Sequence, residues 1–556
     1  MFNRRSWFNP LVLLTVFLLV TVGCAAPAGP ATGKQAPAEK EQPAPTEPPA
    51  EEPAAEQAEI TYVTTQSTAT FDPAIHTDET QSIMVINAYD SFLAPQEDGS
   101  PGPNVATDWK VSEDGTAYTF TIRQGIKFHD GSGLTAEDVA FSMDRMLRIS
   151  KGYSWLWKGI LQPGNTTAVD DYTVEFQLDQ AYSPFLATLV QFFIVNKDLV
   201  LDNLASGDYG EFQDYGQDFL TQQDAGSGAY VISRYDPGSL VVFEAFEDYW
   251  RGWEPGQVRR VNMRVIGETA TEKLMLEQGE ADIVEQWLDP QQFEDLKKAE
   301  NVVVQEDPSA QLFFLTLNNQ KPPLDDVNVR RAISHAFDYE TAANQIFQGA
   351  SQARGPVPRL MPGHNPDAIV YQQDLDKAKE LLAKSKYAGQ DLKLTFVYVE
   401  QLESERKIGL LLQNNLAELG IDVELQGARW ARIVEMVADP ETSPHMVAIF
   451  HTAKYPNPDS HTFAMFHPSA HGTYMSASWY ENPEVSQLLV DARQAVTQEE
   501  AMEKYMQAQE IVAEEAAALF VTNSIHRIAH RDRVEGYNYI PILGWDLYWY
   551  TLRVTE

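Results

Sequence analysis

The chain of 556 residues has a single cysteine, Cys24, and this scarcity excludes several kinds of protein. No disulfide can form within one chain, and neither thiolate metal sites nor a later cysteine nucleophile are available. Stability must therefore come from a large apolar core. A content of 44% hydrophobic and 11% aromatic residues is sufficient for such a core, which we expect to be divided over two or three lobes.

Long hydrophobic runs are also missing. Apart from the N-terminus, no segment approaches the 18 or so uncharged apolar residues that a membrane-spanning helix needs. The apolar stretch over residues 11–22 is too short to span, follows Arg4 and Arg5, and precedes the small residues around Gly23. This pattern is typical of a secretory signal, so we interpret residues 1–23 as a signal peptide.

Cys24 lies directly at the predicted cleavage point, where a lone thiol suits lipid attachment. The surrounding residues resemble a bacterial lipobox, with Thr21 at the position where that motif usually has leucine. We therefore predict lipidation at Cys24 and attachment of the protein to the outer face of a cell membrane or within a periplasmic space. The alternative is an ordinary secreted protein in which Cys24 is incidental.

Positive charge is scarce as well, since 41 Lys and Arg residues face 80 Asp and Glu residues. The net charge of −39 becomes −41 once Arg4 and Arg5 leave with the signal peptide. Because such a surface repels phosphate backbones, nucleic acid is not an expected partner. Residues 25–58 contain eight prolines and no aromatic or large aliphatic residue, so we predict that 24–58 is a disordered tether reaching roughly 100 Å.

Alternating and helical patterns begin after the tether. We predict a strand over 60–64, a hairpin that turns at Asp114 and Gly115, and a helix that begins near Thr135. The pattern over 392–425 predicts a strand, a helix of about 403–419 and a second strand, hence a βαβ unit with parallel strands. Two helices and a series of Tyr- and Trp-rich strands over 519–554 are predicted to follow.

Several segments together are similar to the family 5 extracellular solute-binding proteins, the dipeptide, oligopeptide and nickel-binding group served by ABC transporters. The longest of these segments is 103–142, which includes Asp114-Gly115 and the stretch Gly125-Ile126-Lys127-Phe128-His129-Asp130-Gly131. Two others are Gly226-Ser227-Gly228-Ala229-Tyr230, followed by Asp248-Tyr249-Trp250, and residues 317–338. The order and spacing of the segments agree with the family from about residue 60 to 556.

The resemblance implies an α/β fold with two lobes of the periplasmic-binding-protein type, a ligand cleft between them and an extra inserted subdomain. Lobe I would comprise residues 59–89, 226–308 and 525–556, with the inserted subdomain at 90–225. Lobe II would comprise residues 309–524. Strands that cross between the lobes would act as the hinge.

The resemblance also bears on the ligand. Peptide-binding members typically carry an aspartate in an Ala-Asp-Tyr-x-x-Pro-like segment, which pairs with the α-amino group of the peptide. This chain has Lys454 there, between Ala453 and Tyr455, so a peptide held by its free N-terminus is disfavoured. Lys454 would suit a carboxylate, a phosphate or a sugar hydroxyl. Alternatively, Lys454 points to solvent and Asn457 or Asp459 makes the contact.

Aromatic residues make an oligosaccharide as credible a ligand as a peptide, because their rings stack on sugar faces, although most tryptophans pack in cores. Five histidines between 445 and 471 raise the possibility of a metal chelate, but Pro468 and Gly472 argue against their alignment on a helix, so we predict neither a metal nor a cofactor. The predicted ligand contacts are Gln66, Trp157, Trp287, Asn318, Trp430, His451, Lys454, Tyr455, Asn457 and Tyr474.

The sequence thus predicts a monomeric, lipid-anchored receptor that captures a small solute and hands it to the permease of an ABC importer, without catalysis. A secreted hydrolase is the rival class, but the Gly-x-Ser-x-Gly and His-Glu-x-x-His motifs are missing. A sensor or scaffold of the same fold is a third possibility.

Overall fold

A computed structural model describes residues 58–96 and 100–555. The predicted signal peptide, Cys24 and all but the last residue of the predicted tether lie outside the described residues. Within the described ranges, every helix is either too short or too polar to cross a membrane.

The first half of the chain contains eleven of the named strands and six of the named helices of the described residues. The strands are β1 (Glu59–Thr64), β2 (Leu93–Pro95), β3 (Pro101–Pro103), β4 (Ala106–Val111), β5 (Ala117–Ile122), β6 (Thr166–Asp170), β7 (Thr173–Gln177), β8 (Tyr230–Asp236), β9 (Leu240–Ala245), β10 (Arg260–Val265) and β11 (Ile283–Val284). The helices are α1 (Glu79–Ala88), α2 (Ala136–Ile149), α3 (Phe185–Thr188), α4 (Lys197–Asp202), α5 (Thr269–Gln278) and α6 (Pro290–Leu296).

The second half of the chain contributes the remaining named strands and helices. Its strands are β12 (Val302–Thr316), β13 (Ser351–Gln352), β14 (Leu392–Val399), β15 (Ile421–Ala428), β16 (Met446–Thr452), β17 (Ala518–Arg531), β18 (Val534–Glu535) and β19 (Arg553–Val554). Its helices are α7 (Val327–Ala336), α8 (Tyr339–Thr341), α9 (Leu375–Lys384), α10 (Glu403–Ala417), α11 (Trp430–Val437), α12 (Phe463–Phe466), α13 (Pro483–Gln494) and α14 (Gln498–Glu514).

In the largest sheet the strand order is β15-β14-β16-β12-β17-β11-β1-β10-β9-β8. The long antiparallel strands β12 and β17 thus separate two groups of strands. We call the part of the molecule on the β14–β16 side lobe II and the part on the β1–β11 side lobe I. The register of β12 against β17 shifts between Pro308 and Leu312. The register shifts again between Phe313 and Phe314. The first interruption leaves the longer unpaired stretch, so the two strands can bend there with little loss of hydrogen bonds.

The predicted βαβ unit is confirmed. Strands β14 and β15 pair in parallel, from Leu392 opposite Ile421 to Val399 opposite Ala428, with α10 between them. The helix ends at Ala417, two residues earlier than predicted, and β15 runs three residues further. Strand β14 also pairs in parallel with β16, which adds a third strand to the unit.

The central strand of lobe II is buried on both faces. Leu312 and Phe314 of β12 pack in one hydrophobic cluster, whereas Phe313 and Leu315 pack in another on the opposite face of the sheet. Successive side chains of a strand point to opposite faces, so a continuous apolar run is the pattern that a strand buried on both sides requires.

Within residues 90–225, the segment predicted to be an inserted subdomain, lies the antiparallel sheet β4-β5-β7-β6, with the predicted hairpin at Asp114 and Gly115 between β4 and β5. The C-terminal prediction was wrong in part. Strands occur at both ends of 519–554, as the long β17 and the short β18 and β19, but 3-10 turns occupy residues 545–551, where strands were predicted. Gly544 has a φ of 83°, and a Cβ there would lie 2.6 Å from that of Ser82, so the chain turns sharply and Trp549 packs in the core.

Candidate ligand-binding cleft

A cavity of about 610 Å³ lies between the two lobes. Lobe I contributes Gln66, Asp78, Glu79, Trp287 and Leu543 to its lining. Lobe II contributes Val399, Leu402, Glu405, Trp430, Phe450, Thr452, Lys454 and Tyr474. A molecule bound here therefore contacts both lobes.

The topology explains why these residues meet. Strand β1 is parallel to β11, and β14 is parallel to both β15 and β16, so each lobe presents the carboxyl ends of its parallel strands. Open α/β sheets bind ligands at that edge. The lining residues that end or follow these strands are Gln66 after β1, Trp287 after β11, Val399 at the end of β14, Trp430 after β15 and Lys454 after β16.

Aromatic rings form much of the wall. Trp430 meets Tyr474 edge to face, with ring centroids 4.9 Å apart. Trp287 of lobe I packs on Phe450 of lobe II, with ring centroids 5.3 Å apart. These rings offer flat apolar surfaces to the chain or side chains of a ligand.

Among the described residues that line the cavity, Lys454 is the one basic side chain. The residue is only 3% exposed, and its ammonium lies 5.9 Å from the centre of the Tyr474 ring. Within the described residues, no hydrogen bond or salt bridge reaches Nζ, although the backbone is fixed by Gln191, whose amide donates to the Lys454 carbonyl at 2.7 Å. Burial lowers the pKa of Lys454 to about 7, even though nearby carboxylates favour its charged form.

Carboxyl groups of lobe I face this lysine. Asp78 caps the N-terminus of α1 by accepting a hydrogen bond from the Gln81 N–H at 2.9 Å, which places Glu79 in the first turn. One Glu79 oxygen accepts a hydrogen bond from Gln286, while Oε2 has no hydrogen-bond partner in the described part of the chain. Burial raises the pKa of Glu79, and repulsion from Asp546 adds to the shift. Burial also raises the pKa of Asp546, to about 7.

Glu405 is a further buried acid at the cavity. Its carboxyl group accepts a hydrogen bond from the Val399 N–H at 2.7 Å and so joins the start of α10 to the end of β14. Burial raises the pKa of Glu405 to about 8, so this group is largely uncharged at neutral pH.

Half of the predicted contacts line the cavity, namely Gln66, Trp287, Trp430, Lys454 and Tyr474. The suggestion that Lys454 points to solvent is wrong, because the side chain is buried against the cavity. Asp459, offered as the alternative contact, is instead buried under a pair of hydrogen bonds from Arg493, at 2.9 and 2.8 Å.

The other five predicted contacts are not part of the cavity lining, and four of them are fully buried. Trp157 is fully buried in the inserted subdomain and donates its indole N–H to Thr188 at 3.0 Å. Asn318 is fully buried beyond the end of β12, where its backbone N–H donates to the His445 carbonyl. Tyr455 points away from the cleft and donates to Asp459 at 2.8 Å.

His451 and Asn457 are the remaining two predicted contacts outside the cavity lining. The His451 ring is fully buried, with its Nε2 2.8 Å from the Ser460 carbonyl and its ring centroid 4.4 Å from that of His461. Asn457 accepts a hydrogen bond from the Asp459 N–H at 3.0 Å and lines a separate cavity. In the part of the chain that the structure describes, no three His, Cys, Asp or Glu residues are arranged to hold a metal ion.

Sequence reasoning missed eight lining residues: Asp78, Glu79, Val399, Leu402, Glu405, Phe450, Thr452 and Leu543. Val399 was identifiable from the sequence, because it is the last residue of a predicted strand and such strand ends line the cleft. The acidic residues gave no such signal, since they are three among 80.

Two lobes that share a pair of crossing strands and enclose a cavity define a periplasmic-type binding protein. The sequence profile of the bacterial extracellular solute-binding proteins, family 5 (middle), matches residues 100–474. The chain belongs to this family, as the sequence motifs indicated. It is therefore a solute-binding protein of an ABC importer that acts outside the cytoplasm, and it is not an enzyme.

Individual relatives agree with this assignment. The chain is 32% identical to a probable D,D-dipeptide-binding periplasmic protein of Escherichia coli, with 85% of this chain and 90% of the relative covered. It is 27% identical to a dipeptide-binding protein of the same organism, with 87% and 92% covered. Among solved structures, a periplasmic binding protein of Helicobacter pylori in complex with the peptide STSA matches with a TM-score of 0.79 and 26% identity, covering 90% of this chain and 99% of that one. The match to this solved structure confirms the two-lobe α/β fold.

Proposed function

We propose that the protein is anchored to the membrane by a lipid on Cys24, captures a short peptide by its carboxylate, and delivers it to an ABC permease. The observation that carries the proposal is the buried Lys454 ammonium, which lies at the interlobe cavity above the Tyr474 ring and forms no hydrogen bond or salt bridge with any described residue. A buried cation is costly unless it is paired, and a ligand carboxylate supplies the missing partner. The relatives named for dipeptides support a peptide as the carrier of that carboxylate.

Binding of this kind favours the closed arrangement of the lobes. Lys454 and Trp430 come from lobe II, whereas Trp287 and Glu79 come from lobe I, so a ligand between them contacts both lobes only when the cleft is closed. A ligand shifts a conformational equilibrium by the difference between its affinities for the two states. Bending of β12 and β17 at their register shift would open the cleft for release to the permease.

An oligosaccharide is the second candidate, favoured by the aromatic walls at Trp430 and Trp287. Isothermal titration separates the two. We expect free-acid di- and tripeptides to bind, their C-terminal amides to bind at least about tenfold more weakly, and neutral oligosaccharides not to bind, because only the free acid pairs with Lys454. Tight binding of an oligosaccharide, together with no response to any peptide, contradicts the proposal.

The anchor is tested separately, by replacing Cys24 with serine. We expect the wild-type protein to fractionate with membranes and the Cys24→Ser protein to appear in the soluble extracytoplasmic fraction, since a thioether-linked lipid cannot form on serine. Mass spectrometry of the mature N-terminus checks that both proteins are processed. A Cys24→Ser protein that remains in the membrane fraction after processing contradicts the anchor.

A further inference from the structure

A second cavity of about 490 Å³ adjoins the first. The two share Trp287, Leu402 and Phe450, so the packed ring pair Trp287–Phe450 forms the partition between them. The second cavity continues toward the hinge, because Ser524 and Ile525 at the register shift of β17 line it. A ligand in the first cavity that extends past this ring pair enters the second cavity.

The one charged side chain that lines this second cavity, in the described structure, already has its partners. Arg527 donates from Nε to Glu306 at 2.7 Å, and from its terminal nitrogens to the carbonyls of Gln348 at 2.7 Å and Phe347 at 3.3 Å. A guanidinium in this state has little to offer an incoming anion. The second cavity therefore differs from the first, in which the Lys454 ammonium forms no salt bridge with a described residue and is available to an anionic ligand group.

The second cavity does offer unpaired neutral polar groups. Ser524 is 8% exposed, and its buried hydroxyl has no hydrogen-bond partner among the described residues. Its backbone is held in place, because the Ser309 hydroxyl donates to the Ser524 carbonyl at 2.8 Å. Ser404, two residues from the partition residue Leu402, adds a second hydroxyl to the lining. A buried hydroxyl without a partner is destabilising until an acceptor or donor reaches it, and a peptide group provides both.

From these observations we infer that the second cavity is a subsite for the uncharged, amide-bearing continuation of a ligand whose carboxylate lies at Lys454. The preferred ligand is then a peptide of three or more residues, whose chain passes the Trp287–Phe450 partition and hydrogen-bonds to Ser524. This inference rests on the proposed function and specifies the length of the peptide.

The test is titration calorimetry of the mature protein with free-acid di-, tri- and tetraalanine. We expect the wild type to bind tetraalanine at least about tenfold more tightly than dialanine. Ser404→Trp, which fills the second cavity from the half-exposed start of α10, should abolish this gain and leave the affinity for dialanine unchanged. Ser206→Trp, in an exposed loop of the inserted subdomain, is the matched control and should preserve the gain.

A second variant tests the same subsite without introducing a bulky side chain. Ser524→Ala removes only the unpaired hydroxyl and should weaken tri- and tetraalanine about 3- to 10-fold while sparing dialanine. Equal affinities for all lengths in the wild type, or equal losses for all lengths in Ser404→Trp, overturn the inference and leave the proposed function intact. If no peptide of any length binds, both are overturned.

Discussion

Replacement of Lys454 by methionine is expected to weaken the binding of a free-acid peptide by about 30-fold or more, corresponding to about 2–5 kcal/mol. Methionine fills a similar volume but leaves the buried carboxylate of the ligand without a cation. Titration calorimetry at pH 6.5 measures the loss. The matched control is Lys393→Met on β14, whose side chain is 64% exposed and forms a surface salt bridge with Glu424. An affinity loss of less than threefold for Lys454→Met, or an equal loss in the control, contradicts this role.

The pH dependence of the ligand affinity is a second test of the role of Lys454. The charged and titratable groups that face Lys454 are Asp78, Glu79, Asp546, His76, His451 and His461. Burial lowers the pKa of each of these histidines, so they remain neutral at pH 7.

The sign of the pH effect follows from the two groups with a pKa of about 7. Only protonated Lys454 attracts a carboxylate, so the affinity should be greatest below pH 7 and fall by up to about tenfold per pH unit above it. Asp546 ionises over the same range and adds repulsion in the same direction. In Lys454→Met only the weaker contribution of Asp546 remains. A wild-type affinity that is flat or rises between pH 6 and 9 contradicts the assignment.

Asp459→Asn is expected to destabilise the protein by about 3–5 kcal/mol. The Asp459 carboxylate is fully buried and accepts hydrogen bonds from Arg493, Tyr455 and Tyr505, the last at 3.0 Å. The asparagine cannot balance the buried guanidinium, whose side chain is 7% exposed. Arg493 also joins lobe II to the inserted subdomain, because its backbone carbonyl accepts a hydrogen bond from the Ser183 N–H at 2.7 Å.

Urea unfolding followed by tryptophan fluorescence measures this loss. Asp491→Asn on the same helix, α13, is the control, because Asp491 bonds only to the exposed Gln487 side chain in the described structure. We expect the control to change stability by less than about 0.5 kcal/mol. A loss below about 1 kcal/mol for Asp459→Asn shows that the network around Arg493 is not the determinant of stability that its burial indicates.

The sequence predicted the elements that depend on local patterns. Strand β14 and the first five residues of β15 alternate or run apolar, and Gly420, with a φ of 73°, ends the intervening segment as expected. Lys454 was found because it stands in a motif where its charge is unusual. That signal is local too, and the structure places the residue in the cleft.

The remaining parts of the site depend on contacts distant in sequence. Trp157 and Trp430 are indistinguishable as residue types, yet one is enclosed by the inserted subdomain and the other lies at the end of a lobe II strand. Leu543 reaches the cavity only because Gly544 turns the chain against Ser82, more than 450 residues earlier. Neither outcome follows from spacing or composition.

The most direct test of the account is a crystal structure of the mature protein with a bound free-acid tripeptide. The account predicts the peptide between the lobes, its carboxylate within about 3.2 Å of Lys454 Nζ, and its chain crossing the Trp287–Phe450 partition. A peptide bound outside this cleft, or bound within it with Lys454 remote from the carboxylate, contradicts the account.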